Sequence, residues 1–272
     1  MGQSFLDEEF NYTSEQKEKI LQLRKLVENN VTLKIGTEDA LLSKFLNYAT
    51  WQVERAYKAI IHYYDFKYKH PDWVAQRSVE YYRDHFYSTL SKFVMPKPDK
   101  FGRAVVIFKT VDAFDRYPNY IHDIVQMDDL IFESMMMLPQ VQKYGVTVIY
   151  DLAGTTKNFL RKVSPTIARL INEKNNILPL TTRVVHLIQK GFIMNATSSL
   201  VMPFMSKELK EKIFSHDGKN FDKLRNMVGY DCLPAQYGGN PDNVFDVDFI
   251  YNHMLKHSEY LLKIQSYRKS IN

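Results

Sequence analysis

TTRVVHLIQKGFIMNATSSLVMPFMSKELKEKIF, residues 181–214, is the stretch on which the fold of this 272-residue chain is decided. Thr182 to Gln189 is a β-branched run of strand length. The following half is predominantly apolar, and Lys207 to Lys212 is charged. Phe192, Ile193, Met194, Leu200, Val201, Met202, Phe204 and Met205 give more apolar surface than one helical stripe needs. A helix apolar over much of its circumference is either fully buried or faces two apolar environments, such as a ligand and a membrane. The segment therefore reads as an ordinary core helix or as a movable cover over an apolar cavity. Pro203 should kink or end its first part, and Gly191 stands where a hinge or a simple boundary would fall.

Working outward, two more strand-like runs precede it, Phe101 to Val111 (FGRAVVIFKTV) and Gly145 to Gly154 (GVTVIYDLAG). Helical spacing separates them, over Tyr117 to Leu138 and Pro165 to Lys174. Strands alternating with helices imply right-handed crossovers and a largely parallel sheet with covered faces. Residues 13 to 90 read as helices: one capped by Thr13 or Ser14, a short one capped by Thr37, and a longer one from Thr50 that His70-Pro71 stops. Val244 to Ile271 reads as one closing helix. The expected fold class is α/β, with a helical N-terminal region over residues 1–95 packed on a mostly parallel sheet domain over residues 96–272.

Composition narrows the function classes. A net charge of +5, with 36 basic residues spread among 31 acidic ones, gives no basic stripe, so nucleic acid is not expected as a partner. One cysteine, Cys232, precludes an internal disulfide, and the amino terminus lacks the apolar core of a secretory signal, so the expectation is a cytoplasmic monomer. No apolar run approaches the ~20 residues needed to span a bilayer, so membrane contact should be peripheral. No G-x-S-x-G, G-x-G-x-x-G or phosphate-loop motif occurs, which argues against an enzyme. His253 and His257 share a helical face, but no third ligand accompanies them, and no metal is expected.

Several segments together resemble one family. DALLSKFLNYATWQVERAYKAIIHYYDFKYKHPD (39–72), YDLAG (150–154), VVHLIQKGFIMN (184–195), MPFMSKELKEKIFSHDG (202–218) and LPAQYGG (233–239) occur in the order and near-constant spacing of the CRAL-TRIO lipid-binding proteins, with members that carry tocopherol or retinaldehyde most similar. The resemblance covers nearly the whole chain. It implies a sheet flooring an apolar cavity that is gated by a lid helix, here Phe192 to Lys212, with Phe192, Ile193, Met194, Leu200, Val201 and Met205 as lid residues. It further implies a weak phosphate-binding pair, Arg183 and Lys212. Ala49, Thr181 and Glu208 occupy other places of the phosphoinositide-contacting basic cluster of the tocopherol carriers, so most of that cluster is absent.

Strand parity offers Val146, Val148, Tyr150, Val185 and Leu187 as cavity floor. The crossing helices add Val125, Asp128, Phe132, Met135, Val163, Ile167 and Ile171. Each could equally fill the core, since both faces of such a sheet are buried. Asp128, on the apolar face of its helix, is either a polar anchor for a ligand or a helix-edge residue in water, because a lone buried carboxylate is costly. The expected function is a carrier of one small apolar lipid, tocopherol-, retinoid- or carotenoid-like, exchanged at a transiently contacted and in part anionic membrane surface. No cofactor is expected beyond that lipid. The alternatives are phospholipid or phosphoinositide exchange, or a lipid-gated scaffold or regulator without transport.

Overall fold

The three β-branched runs form the centre of a five-stranded sheet. A computed structural model describes residues 5–188, 203 and 207–270. The strands are β2 (Lys92–Val94), β3 (Ala104–Lys109), β4 (Val146–Asp151), β5 (Arg183–Ile188) and β6 (Ile213–His216), in that spatial order. β2 runs antiparallel to β3, and β3 to β6 are mutually parallel. A separate short pair joins β1 (Leu33–Lys34) to β7 (Arg268–Lys269). Gly145 enters β4 at φ +81, and a Cβ there would lie 1.9 Å from the Thr182 carbonyl oxygen, so only glycine lets the two chain segments pass.

The helices are α1 (Ser14–Glu28), α2 (Asp39–Tyr48), α3 (Val53–Lys69), α4 (Arg83–Thr89), α5 (Tyr120–Met135), α6 (Pro139–Tyr144), α7 (Lys157–Lys162), α8 (Pro165–Ile177), α9 (Lys207–Glu211), α10 (Asp222–Val228), α11 (Val247–Lys256) and α12 (Ser258–Gln265). Thr13 caps α1 in a full capping box with Gln16, and Ser164 caps α8 through the Ile167 N–H. Thr37 and Thr50 do not cap. Glu38 holds the N-cap of α2 without a side-chain bond, and Thr50 lies at φ 51 in the tight link before α3, where the Trp51 N–H reaches the Leu46 carbonyl at 2.7 Å. The closing segment is not one helix: it breaks at His257 and ends in β7, which has its partner in β1.

Buried charges tie the N-terminal helices to α5. Lys44 of α2 lies 2.9 Å from Glu133, which also accepts from the Tyr63 hydroxyl of α3. On α8, Lys174 pairs with Asp129 at 3.0 Å and donates to the Trp73 and Val125 carbonyls at 2.6 and 2.8 Å. The α2–α3–α5 contacts and the sheet share one apolar core, in which Leu41, Phe45, Ile60, Ile131, Val146 and Ile149 have no accessible surface.

Register separates the sheet's two faces. Val106, Val148 and Val185 sit abreast on one, with Phe108, Tyr150 and Leu187 in the next row. Ile107, Ile149 and His186 sit abreast on the other. Phe108 meets Phe132 of α5 edge-on at 5.9 Å, so α5 crosses the first face. Tyr237, Phe245 and the Asp99 turn cover the second.

Candidate functional site

In the interior of a two-sided sheet every strand residue should be buried, and exceptions mark a void. Along β2 to β5 the residues that keep accessible surface are Lys109, Tyr150, Arg183 and Leu187, and all four line one cavity. Its volume is about 260 Å³. The sheet supplies Phe108, Tyr150, Val185, Leu187 and Ile213 as floor. α5 contributes one stripe, Ile121, Ile124, Val125 and Asp128, at the spacing of a single helical face. Phe159 and Leu160 of α7, Val163, and Ile171, Asn172 and Asn175 of α8 complete the wall among the described residues.

Polar groups are few and sit at defined places. Asp128 is no lone carboxylate: Lys92, on the edge strand β2, is ion-paired with it, and the Lys92 ammonium lies 4.2 Å from the Phe108 ring centroid. Asp128 therefore borders the cavity as half of an ion pair and not as a carboxylate on its own. Arg183 donates from Nη1 to Asn175 Oδ1 at 2.9 Å. Burial pushes its guanidinium below the usual value, while the neighbouring Tyr150 phenol pulls the other way. Burial, with Asp128, raises the Tyr150 hydroxyl well above the ordinary tyrosine value.

Of the residues expected from the sequence to meet a ligand, Val125, Asp128, Tyr150, Val163, Ile171, Val185 and Leu187 are brought together around this cavity, as is Arg183. Phe132, Met135, Val146, Val148 and Ile167 lie elsewhere. Val146 and Val148 share the face of Tyr150 but sit nearer the strand's start, where with Met135 they belong to the closed core. Phe132 is held against Phe108, and Ile167 packs with Phe66, Trp73, Val74 and Val125 in a separate cluster. Lys212 sits beside β5 through its carbonyl, which accepts from Val185 N–H at 2.9 Å. The expected lid residues Phe192, Ile193, Met194, Leu200, Val201 and Met205, and the hinge at Gly191, lie outside the described residues.

The sequence reading missed Lys92, Tyr120, Ile121, Ile124, Phe159, Leu160 and Asn175. The stripe Ile121, Ile124, Val125, Asp128 was available as an i, i+3, i+4, i+7 pattern. No comparable signal marks Phe159 and Leu160, two apolar residues in the six-residue, mostly polar helix α7.

LPAQYGG forms a tight turn. Gly238 has φ +72, and a Cβ on Gly239 would lie 2.1 Å from the Leu233 carbonyl oxygen. The turn delivers the Tyr237 hydroxyl to Asp151 at 2.7 Å, so Asp151 has a structural role on the face away from the cavity. There His186 Nδ1 meets His216 Nε2 at 2.9 Å.

Comparison with known proteins agrees with this architecture. Residues 88–239 match the family model described as CRAL/TRIO domain. Clavesin-2 of Homo sapiens is 22% identical over 212 residues, 75% of this chain and 63% of that protein. Clavesin-1 of Xenopus laevis is 23% identical over 212 residues, again 75% of this chain and 62% of the relative. The match thus spans less than two thirds of the length of these relatives. The crystal structure of Sfh5 superposes with a TM-score of 0.52 at 11% identity, covering 93% of this chain and 99% of that one, a likeness of fold alone.

Proposed function

The chain belongs to the CRAL/TRIO domain family of lipid-binding and lipid-transfer proteins, and from that membership and the cavity's geometry we propose that it carries one small lipid and exchanges it at membrane surfaces. The observation that carries the reading is that the accessible residues of β2 to β5 all border one void lined mostly by aliphatic and aromatic side chains. Each 100 Å² of ligand surface withdrawn from water there contributes about 2.5 kcal/mol, so a modest apolar ligand needs few polar contacts. A cavity of about 260 Å³ suits a single-chain or compact lipid better than a two-chain phospholipid.

Exchange is assigned to the apolar segment 192–205. It joins β5 to α9 and β6, and Leu187 and Ile213 on either side of it both border the cavity. A cover passing from cavity to bilayer keeps its apolar residues out of water in both positions, which keeps opening inexpensive.

Native mass spectrometry of gently purified protein, followed by extraction and identification of the bound lipid, tests the carrier. Ile124→Trp, which fills the void, should lower affinity for a neutral apolar fluorophore by about tenfold or more. Unchanged affinity, together with lipid-free protein in every preparation, would favour a scaffold. The double variant Leu200→Asp, Val201→Asp should abolish transfer between liposomes; undiminished transfer places the gate elsewhere.

A further inference from the structure

Among the described residues three cations border the cavity, and two of them are committed. Lys92 is paired with Asp128. Lys109, at the end of β3, holds its ammonium 3.6 Å from the Phe245 ring on the opposite side of the sheet and donates to Gln236 at 3.5 Å. Arg183 differs. Its one hydrogen bond among the described residues goes to Asn175, a neutral group, and no described carboxylate lies within ion-pair distance. The sequence 189–206 contains no Asp or Glu, and Glu208 is the one acid whose side chain lies outside the described ones.

A guanidinium taken from water without a counter-ion is a costly arrangement, and the rest of its N–H fork has no protein acceptor among the described residues. Other donors stand on the same cavity wall. Asn175 has its oxygen occupied by Arg183 and its amide N–H groups uncommitted, and the Tyr150 hydroxyl has no hydrogen-bond partner among the described residues. Tyr150 lines the same cavity on the same face of the sheet, four residues along β4 from Val146, the register partner of Arg183. The wall of a mostly apolar cavity thus offers at Arg183 and Asn175 several donors and one positive charge without a described counter-ion. A planar fork of N–H groups matches the two oxygens of a carboxylate, and a single charge balances a monoanion. A multiply charged phosphoinositide head would leave negative charge uncompensated against Val185 and Ile171.

We propose that Arg183, with Asn175 beside it, anchors the carboxylate of a single-chain acidic lipid whose hydrocarbon tail occupies the mostly apolar remainder of the cavity. The assignment rests on the lipid-carriage reading and adds the head-group class to it. Ile121, Ile124, Phe159 and Leu160 receive the tail, and the compensated Lys92–Asp128 pair makes no demand on the ligand.

The test compares oleate with oleyl alcohol, equal in chain and different in head group, by displacement of a neutral apolar fluorophore from the delipidated full chain. Oleate should bind at least about tenfold more tightly, the worth of a charge-assisted hydrogen-bond pair. Arg183→Gln should bring the acid-over-alcohol ratio to within about twofold of unity, Arg183→Lys should restore part of it, and Asn175→Ala should reduce it by a few-fold. Circular dichroism and melting of each variant confirm folding, and the lysine variant keeps the test decisive if the glutamine variant is unstable. Equal binding of acid and alcohol by the unaltered protein, or a full oleate preference in Arg183→Gln, overturns the proposal. Tighter binding of an alkyl phosphate than of oleate overturns the carboxylate assignment. If the fluorophore and the alcohol bind while the acid has no advantage, only the anchor fails; if none of the three binds, the carrier reading fails with it.

Discussion

On β4, Val146, Val148 and Tyr150 point to one side of the sheet and Thr147, Ile149 and Asp151 to the other, and the two sides are finished differently. On the second side most polar groups are matched inside the protein, His186 Nε2 being an exception. Asp99 accepts from the Thr147 hydroxyl and the Arg103 Nε, both at 2.6 Å, and from the Phe101 and Arg103 N–H groups, both at 2.9 Å. Asp151 accepts from Tyr237, and His186 and His216 share a hydrogen bond. On the first side the packing stops short, and Arg183 and Tyr150 keep hydrogen-bonding capacity that the described residues leave unused. The same strands thus carry a face finished for stability and a face left open for a ligand. If that contrast is right, substitutions of similar size should cost stability unequally on the two sides.

The largest effect is expected from Asp99→Ala. It strands the Thr147 hydroxyl, the Arg103 guanidinium and two backbone N–H groups where Asp99 itself is only 4% exposed. Removing one partner of such a buried charged network costs about 3–5 kcal/mol. Urea denaturation should show this loss, with fluorophore affinity retained in the folded fraction. A loss below about 1 kcal/mol would mean that this face is not held by its polar network.

A smaller effect comes from the histidine pair on the same face. Burial, then His216 and Arg103, push His186 down to about 3 from an ordinary 6.5, and His216 is lowered as well, chiefly by burial. With the folded value below the unfolded one, the unfolded chain takes up the proton first. The contribution is therefore complete above pH 6.5 and is lost as pH falls from there toward 3. His186 alone should remove about 2 kcal/mol of stability between pH 7 and pH 5, a window in which ordinary carboxylates stay ionised. His186→Phe should shrink the difference between unfolding free energies at pH 7 and pH 5 by that amount. An unaltered difference would assign the acid sensitivity to other histidines, of which His253, lowered mainly by burial to about 4, is the next in line.

What the sequence disclosed follows from which signals are local. β3, β4 and β5 were legible because each is a run of six residues rich in valine and isoleucine, and alternation along β5 named Val185 and Leu187 correctly as one face. β2, at three residues, and β6, merged with the charged end of the preceding segment, are too short to show a period. Depth along a strand was illegible too: Val146 and Tyr150 have the same parity, yet one is sealed in the core and the other borders the void, because helices on distant parts of the chain decide what covers each. The partner of Asp128 was beyond reach for the same reason, since Lys92 lies 36 positions away on a strand that was itself invisible. Segments 39–72 and 184–195 carried the family resemblance, which implied a cavity before geometry could place its walls.

The smallest effect should fall on the cavity side, where the contrast is most exposed to failure. Ile149 has no accessible surface and sits in the closed core, so Ile149→Ala should cost about 2–5 kcal/mol, transfer and cavity terms together. Leu187 lies one strand away, in the next row along, and retains accessible surface because its side chain borders a void that already exists. Leu187→Ala enlarges that void without breaking a close-packed contact on its open side, so its cost in the delipidated protein should stay below about 1 kcal/mol. The two variants, measured side by side by urea denaturation, should differ by more than about 1 kcal/mol. Added apolar ligand should then separate them again, because Leu187→Ala removes surface the ligand touches and Ile149→Ala does not. Equal losses without ligand would show that the cavity face is as tightly packed as the other, and the division of labour between the two sides of the sheet would not hold.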